Sequence, residues 1–542
     1  MFLNCIGHQP RGLMERGVRL MGNFGAAGYT VLGVYMVATV MLGLSFTRKQ
    51  KTLAGYFLAE RSAPWWAVGI SVLACDLSAI SYMGVPAWSY HHDLRYATTI
   101  LMFPLIAIIV AYLFIPFLAR LKVFTIYEYL GHRFDEKARL FASAMFLLQR
   151  ASHMAIAIYA ISLALQQIAG WPVGVCVTLV GALTTMYTVL GGMKAVLWTD
   201  VMQFFVLLGG MLVMTIVVLL FFKGDVLHVW RVAAEAGHTK ILTVSFNFFE
   251  KDFWKEMTIW GLIIGTIVYQ VGAYGSDQVL VQRYLAAGSA RLMARSLLFS
   301  GLLAIPVIGA LYMLGLGLFA YYHAPESAGL LKSLNNLIQS TSDPNMILPH
   351  FVRNVLPSGL AGLVFAALFA ATMSVFSSGL NSLSTATCMD FLQRRSNSKE
   401  LTLLNARMVT LAWGILVTFA AIGVYFARIG SLVEAGAGIV GFFSGPLLGM
   451  FLLGIFTTRA SSLAVIVGAI LGFAIALMLR HHISFIWYPV AGCAPTLLAG
   501  YAFSCITARP QREKVYPMTI WGRHLTGSSS APNTGVTVEK IS

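Results

Sequence analysis

The chain has 542 residues, of which 58% are hydrophobic and only 11% charged, with a mean hydropathy of +0.77. That balance excludes an ordinary soluble domain, where about a quarter of residues are charged, and predicts an all-α polytopic membrane protein. The net charge of +16 would suit a nucleic-acid partner, but the basic residues lie between apolar runs without interleaved aromatics, so the excess is read as a membrane-orientation signal.

The first twenty residues are polar and basic and lack the apolar core of a signal peptide; residues 1–24 are expected to be an N-terminal segment, extracytoplasmic by the loop charges below, with Met21 as an alternative start. Thirteen apolar runs follow, each long enough to cross a bilayer as a helix. They fall at 25–46, 64–90, 97–119, 139–167, 171–190, 198–222, 256–276, 297–322, 358–390, 407–427, 432–455, 462–479 and 484–505, within a transmembrane domain spanning 25–505. Residues 506–542, rich in Ser, Gly and Thr near their end, are expected to form a disordered tail. With loops taken alternately, one set carries 23 of the 37 Lys and Arg and the opposite set 13. The positive-inside rule then puts the N-terminus outside and the C-terminus in the cytoplasm of a multi-pass plasma or inner membrane protein. The six cysteines show no CxxC or Cys/His ligand spacing and are read as packing residues.

Polar residues inside the spans locate the chemistry. The second run carries Asp76 within Ala74-Cys-Asp-Leu-Ser-Ala-Ile-Ser-Tyr-Met-Gly84, with Pro86 close behind. A carboxylate at bilayer depth costs several kcal/mol unless paired or solvated, whereas a broken helix offers freed carbonyls and half-helix ends to a cation. The seventh run is disturbed between Gly265 and Gly275, with Gln270, Gly272 and Tyr274 among apolar neighbours. Two interrupted spans five helices apart fit the first helices of two inverted five-helix halves. In the fourth run Arg150 lies too deep to snorkel, with His153 one turn on. Its planar fork suits a carboxylate solute; a structural pair with an acid or with carbonyls is the alternative, and His153 is read as packed and hydrogen-bonded. In the ninth run Ala371, Ser374, Ser377 and Ser378 share one helical face, which suits either a small cation or close helix packing.

Several stretches taken together resemble the sodium/solute symporter family, which includes sodium-coupled glucose, proline, monocarboxylate and sialic acid carriers. They are Gly55-Tyr-Phe-Leu-Ala-Glu-Arg-Ser62, Ile126-Tyr-Glu-Tyr-Leu130 with Arg133-Phe134, Gly191-Gly-Met-Lys-Ala-Val-Leu-Trp-Thr-Asp-Val-Met-Gln203, Ser276-Asp-Gln-Val-Leu-Val-Gln-Arg-Tyr-Leu285, Asn381-Ser382 and Met389-Asp390. The resemblance implies the LeuT-type five-plus-five inverted repeat, with a core over about 64–455. It also implies a main sodium site at Ala74, Leu77, Ala371, Ser374 and the position of Val375, with the carboxylate of Asp76 nearby. Valine offers no oxygen, a departure from the family that is expected to weaken sodium binding by about 1–3 kcal/mol. A second cation site, as in sialic-acid-type members, maps onto Asp200, Ser374, Ser377 and Ser378; capping of its own helix is the alternative for Asp200. Substrate positions map onto Ser81, Arg150 and Gln270.

The expected function is cation-coupled, sodium-driven symport of a small organic solute across the lipid bilayer by alternating access, with a carboxylate-bearing solute favoured over a sugar and no cofactor beyond the coupling ion. Proton-coupled symport of a sugar or other neutral solute is the main alternative, and a non-transporting solute sensor a lesser one. The spans carry no HExxH, no paired-carboxylate helix motif and no spaced Ser/His pair, so an enzyme is not expected.

Overall fold

In hydrocarbon every backbone amide must find its partner within the segment, which turns apolar runs into helices. The computed structural model describes residues 25–522, apart from 48–49, 245, 248–250, 342, 394–400, 427–431 and 509. Among them the regular structure is entirely helical. The expected segment 1–24 lies outside the described residues.

The long helices, in chain order, are α1 (Ala26–Ser45), α2 (Trp65–Asp76), α3 (Ala79–His91), α4 (Phe103–Leu113), α5 (Glu136–Ala169), α6 (Val173–Phe221), α7 (Thr266–Ser276), α8 (Gln278–Leu285), α9 (Ala290–His323), α10 (Ser358–Ala386), α11 (Leu403–Phe426), α12 (Leu432–Phe456), α13 (Ser462–Leu479) and α14 (Tyr488–Ile506). Among the described residues ten segments are individually long and apolar enough to cross a membrane, and the bent pair α2–α3 makes an eleventh. The thirteen expected runs map onto these elements once α6 is divided and the short α7 is included.

Two expected spans, 171–190 and 198–222, are joined without a loop in the 49-residue α6. At 1.5 Å per residue a straight helix of that length would be roughly 70 Å long, over twice the hydrocarbon thickness. The chain instead turns at Gly192, with φ 58° and ψ −157°, a conformation open essentially to glycine alone. A Cβ there would lie 2.7 Å from Tyr56 Cδ2 and 2.8 Å from Tyr56 O. Gly192→Ala is therefore expected to cost about 1–3 kcal/mol from the backbone alone, seen as a lowered melting temperature of the purified protein; an unchanged melt would refute the turn.

α10 forms the centre of the bundle, with 83% of its most apolar window buried, against 22% for the peripheral α11. It packs on α6, α1, α5 and α2. The motif stretches, far apart in sequence, meet around it. Ile126 N donates to Gln278 Oε1 at 2.9 Å, Gln282 Nε2 donates to Phe57 O and to Thr385 Oγ1, and buried Asp390 accepts from Thr125, Arg139 and Ser143.

The tail departs from the expected disorder as far as Gly522. Val515 and Met518 are buried, Ile520 N donates to Ile455 O at 2.9 Å, and Tyr129 Oη donates to Met518 O at 2.8 Å. The Ser/Gly/Thr composition that suggested disorder belongs to the residues after 522; the preceding dozen carry enough apolar side chains to dock. Residues 523–542 lie outside the described part.

Candidate transport site

The first discontinuity sits where the sequence placed it. α2 and α3 are bent by 63° around Leu77, at φ −80° and ψ 73°, and an extended Ser78. Serine is a good helix N-cap because its hydroxyl replaces a missing carbonyl partner; here Ser78 Oγ accepts from Ser81 N at 3.3 Å. Ser78 N itself bonds back to Asp76 O at 3.0 Å. The amides that would close α-helical bonds to Ala74 O and Leu77 O are thus engaged elsewhere. Both carbonyls are thereby left without their α-helical partners.

The second discontinuity lies slightly beyond the expected 265–275 stretch. A π-helical turn at Gly261–Gly265 leads into α7, and the break itself falls at Asp277, with φ −86° and ψ 121°. The Asp277 carboxylate caps α8 by accepting from Val279 N at 2.7 Å.

Asp76 is partly buried and accepts from Tyr274 Oη at 3.1 Å, so one acid joins the two broken segments. Ser81 Oγ lies 3.4 Å from Asp76 O. Arg150, 7% exposed, approaches the same break and donates from Nη2 to Cys75 Sγ at 3.5 Å, while its Nε has no partner. The ion pairs found among the described residues within 4.0 Å do not include Arg150. Gln270 Oε1, Gln149 Oε1 and His153 Nδ1 are likewise buried without partners. For His153 this departs from the expected hydrogen-bonded imidazole, since its Nδ1 has no partner.

Buried polar atoms normally find partners. Those on Gln149, Arg150, His153 and Gln270 are among the exceptions.

The Ser-rich face of α10 is wholly interior: Ala371, Ser374, Val375, Ser377 and Ser378 are each at most 1% exposed. Ser374 Oγ donates to Asp200 Oδ1 at 2.7 Å, and Ser71 of α2 donates to Asp200 Oδ2. Ser71 of α2 and Ser374 of α10 thus share one carboxylate of α6. Ser377 Oγ is turned to Ser374 O at 3.1 Å.

Sequence reasoning missed the cation inside this group. Arg283 of α8, 1% exposed, pairs with Asp200 Oδ2 at 3.1 Å. It donates to Ser71 Oγ at 3.0 Å and to Val279 O at 2.8 Å, and its Nη2 also contacts Ser378 Oγ. Asp200 and Arg283 therefore neutralise each other at the centre of the bundle, and a second cation has to share the carboxylate with the guanidinium. The available signal was Arg283 itself, which lies within the Ser276–Leu285 motif stretch. Asp200 does not cap its helix; it lies well inside α6.

Among the described residues no three His, Cys, Asp or Glu side chains converge as a metal site. A groove of about 530 Å³ between α6 and α11, lined by Gly181, Thr185, Gly414 and Thr418 among others, includes none of the charged residues above.

Known proteins resemble this chain along most of its length. The sodium/sialic acid symporter SiaT of Proteus mirabilis is 32% identical over 88% of this chain and 95% of its own length. The sodium-coupled monocarboxylate transporter 1 of Xenopus laevis is 29% identical over 84% of this chain and 74% of its own. A solved substrate-bound, outward-open Na⁺-coupled sialic acid symporter, described as having a novel Na⁺ site, superposes with a TM-score of 0.81 at 31% identity, covering 90% of this chain and all of that one. The model of the sodium:solute symporter family matches residues 56–472, and with two broken helices at the centre of a matching fold, this chain is a member of the sodium:solute symporter family, an integral membrane transporter and not an enzyme.

Proposed function

We propose that the protein is a sodium-coupled symporter of a small, carboxylate-bearing organic solute. The observation that carries this reading is the buried, unpaired guanidinium of Arg150 beside the α2–α3 break. An unpaired buried cation with a planar fork is suited to a carboxylate, and the carbonyls of Ala74 and Leu77 one turn away suit a small hard cation. Solute and ion then share one discontinuity, which is how binding of one favours the other. Relatives described as carriers of sialic acid and of monocarboxylates are consistent in chemistry, since both are carboxylates. Ser81 and Gln270 supply neutral hydrogen-bonding groups beside the charged ones.

The test is a thermal-shift screen of the purified protein against organic acids and sugars, with and without sodium, because a ligand stabilises the state it binds. Stabilisation by an organic acid that grows with sodium is the expected result. Stabilisation by sugars alone would replace the reading.

The main sodium site comprises Ala74, Leu77, Ala371 and Ser374, supported by the charge of Asp76, and lacks a hydroxyl at Val375. Val375→Ser is expected to lower half-saturating sodium severalfold in uptake assays, at a cavity cost of about 1 kcal/mol in stability. No change would mean that this position does not face the ion. The second site draws on Asp200, Ser374, Ser377 and Ser378, in competition with Arg283.

The membrane orientation follows the loop charges, with the N-terminus outside and the C-terminus in the cytoplasm. A reporter fused after Arg512 should be cytoplasmic and one in the 323–357 loop external; a cytoplasmic signal from that loop would overturn the thirteen-span topology.

A further inference from the structure

The charges around the two breaks do not balance. Among the described residues there, Asp76, Asp200 and Asp277 are acidic and Arg150 and Arg283 basic, so the set is one negative charge in excess when the acids are ionised. Arg283 is committed to Asp200. Arg150 is within electrostatic range of both Asp76 and Asp277 yet forms no ion pair within 4.0 Å with either. One bound sodium ion neutralises the set. A solute that is a net anion would then return it to one negative charge, in a region where uncompensated charge is costly. A second sodium could offset that only by sharing Asp200 with the guanidinium already there.

A solute carrying both signs adds no net charge. It also meets opposite partners at the end of α2, just before one discontinuity: the guanidinium of Arg150 approaching Cys75, and the carboxylate of Asp76 on the next residue, which accepts from Tyr274 Oη. We infer that the transported solute is a zwitterion of the amino-acid type, its carboxylate on Arg150 and its cationic nitrogen on Asp76. This rests on the carboxylate reading above and narrows it, since the relatives named above carry sialic acid and monocarboxylates.

The experiment uses the full-length protein in proteoliposomes with an inward sodium gradient. The probes are the common amino acids with glycine betaine, a set of simple anions (acetate, lactate, pyruvate and sialic acid), and glucose and galactose. For the best amino acid, its N-acetyl derivative and its methyl ester each remove one charge. Tenfold or greater loss of uptake for both derivatives is expected. In Asp76→Asn the parent's advantage over its N-acetyl derivative should collapse toward one, whereas a role for Asp76 in sodium binding alone would weaken both ligands equally. If that variant fails to fold, the derivative comparison on the natural protein still decides. No uptake of any zwitterion, a simple anion transported better than every zwitterion, or an N-acetyl derivative carried within about twofold of its parent would overturn the inference and leave the carboxylate reading standing. Uptake of sugars alone, or full activity of the methyl ester, would defeat both.

Discussion

Truncating Arg283 to alanine is expected to cost about 3–5 kcal/mol of stability and to abolish transport, because it leaves the carboxylate of Asp200 buried and unpaired. Among the described residues Ser71 and Ser374 would remain as its side-chain donors, which is too little for a full negative charge at the centre of a membrane bundle. Asp200→Asn in the same chain should recover a large part of the stability, since the double variant has no orphaned charge. Contacting residues of this kind deviate strongly from additivity. Thermal unfolding of the four proteins in detergent measures the coupling directly. Additive losses would mean that the pair does not interact in the folded protein.

Arg150 should behave differently, and the contrast follows from its surroundings. It has no acid within ion-pair distance, so its replacement strands no partner. Arg150→Lys keeps the charge but loses the planar fork, and is expected to reduce solute affinity by about 1–3 kcal/mol while expression and melting temperature stay near those of the natural protein. Equilibrium binding to the two proteins checks it. Unchanged affinity would retire the carboxylate clamp.

Much of this architecture was legible because a bilayer makes local sequence decisive. An apolar run of sufficient length has only the helix available to it, and Asp76 with Pro86 close behind marks the first break by the cost of a carboxylate at bilayer depth; the Ser78 cap emerges only in the structure. The runs on either side of Gly192 were separable by length alone, but the absence of a loop between them was not. That depends on a positive φ that any glycine permits and only tertiary packing against Tyr56 selects. The second break was displaced for a similar reason: glycines and polar residues at 265–275 drew attention to the segment, whereas the residue that ends α7 is Asp277, whose side chain caps the next helix.

Within the site, the serine face of α10 was readable from its spacing and Arg150 from its depth. The Asp200–Arg283 pair was not, since 83 residues separate its members and neither sequence neighbourhood names the other. The apolar anchors of the tail, Val515 and Met518, were hidden by the polar residues that follow them.

Uptake into proteoliposomes under separately imposed sodium and proton gradients tests the central claim most directly. Sodium-coupled symport predicts that an organic acid or amino acid accumulates only while external sodium exceeds internal sodium, and that accumulation is lost when that gradient is collapsed but survives a proton ionophore under voltage clamp. Uptake indifferent to sodium and abolished by dissipating the proton gradient would contradict it.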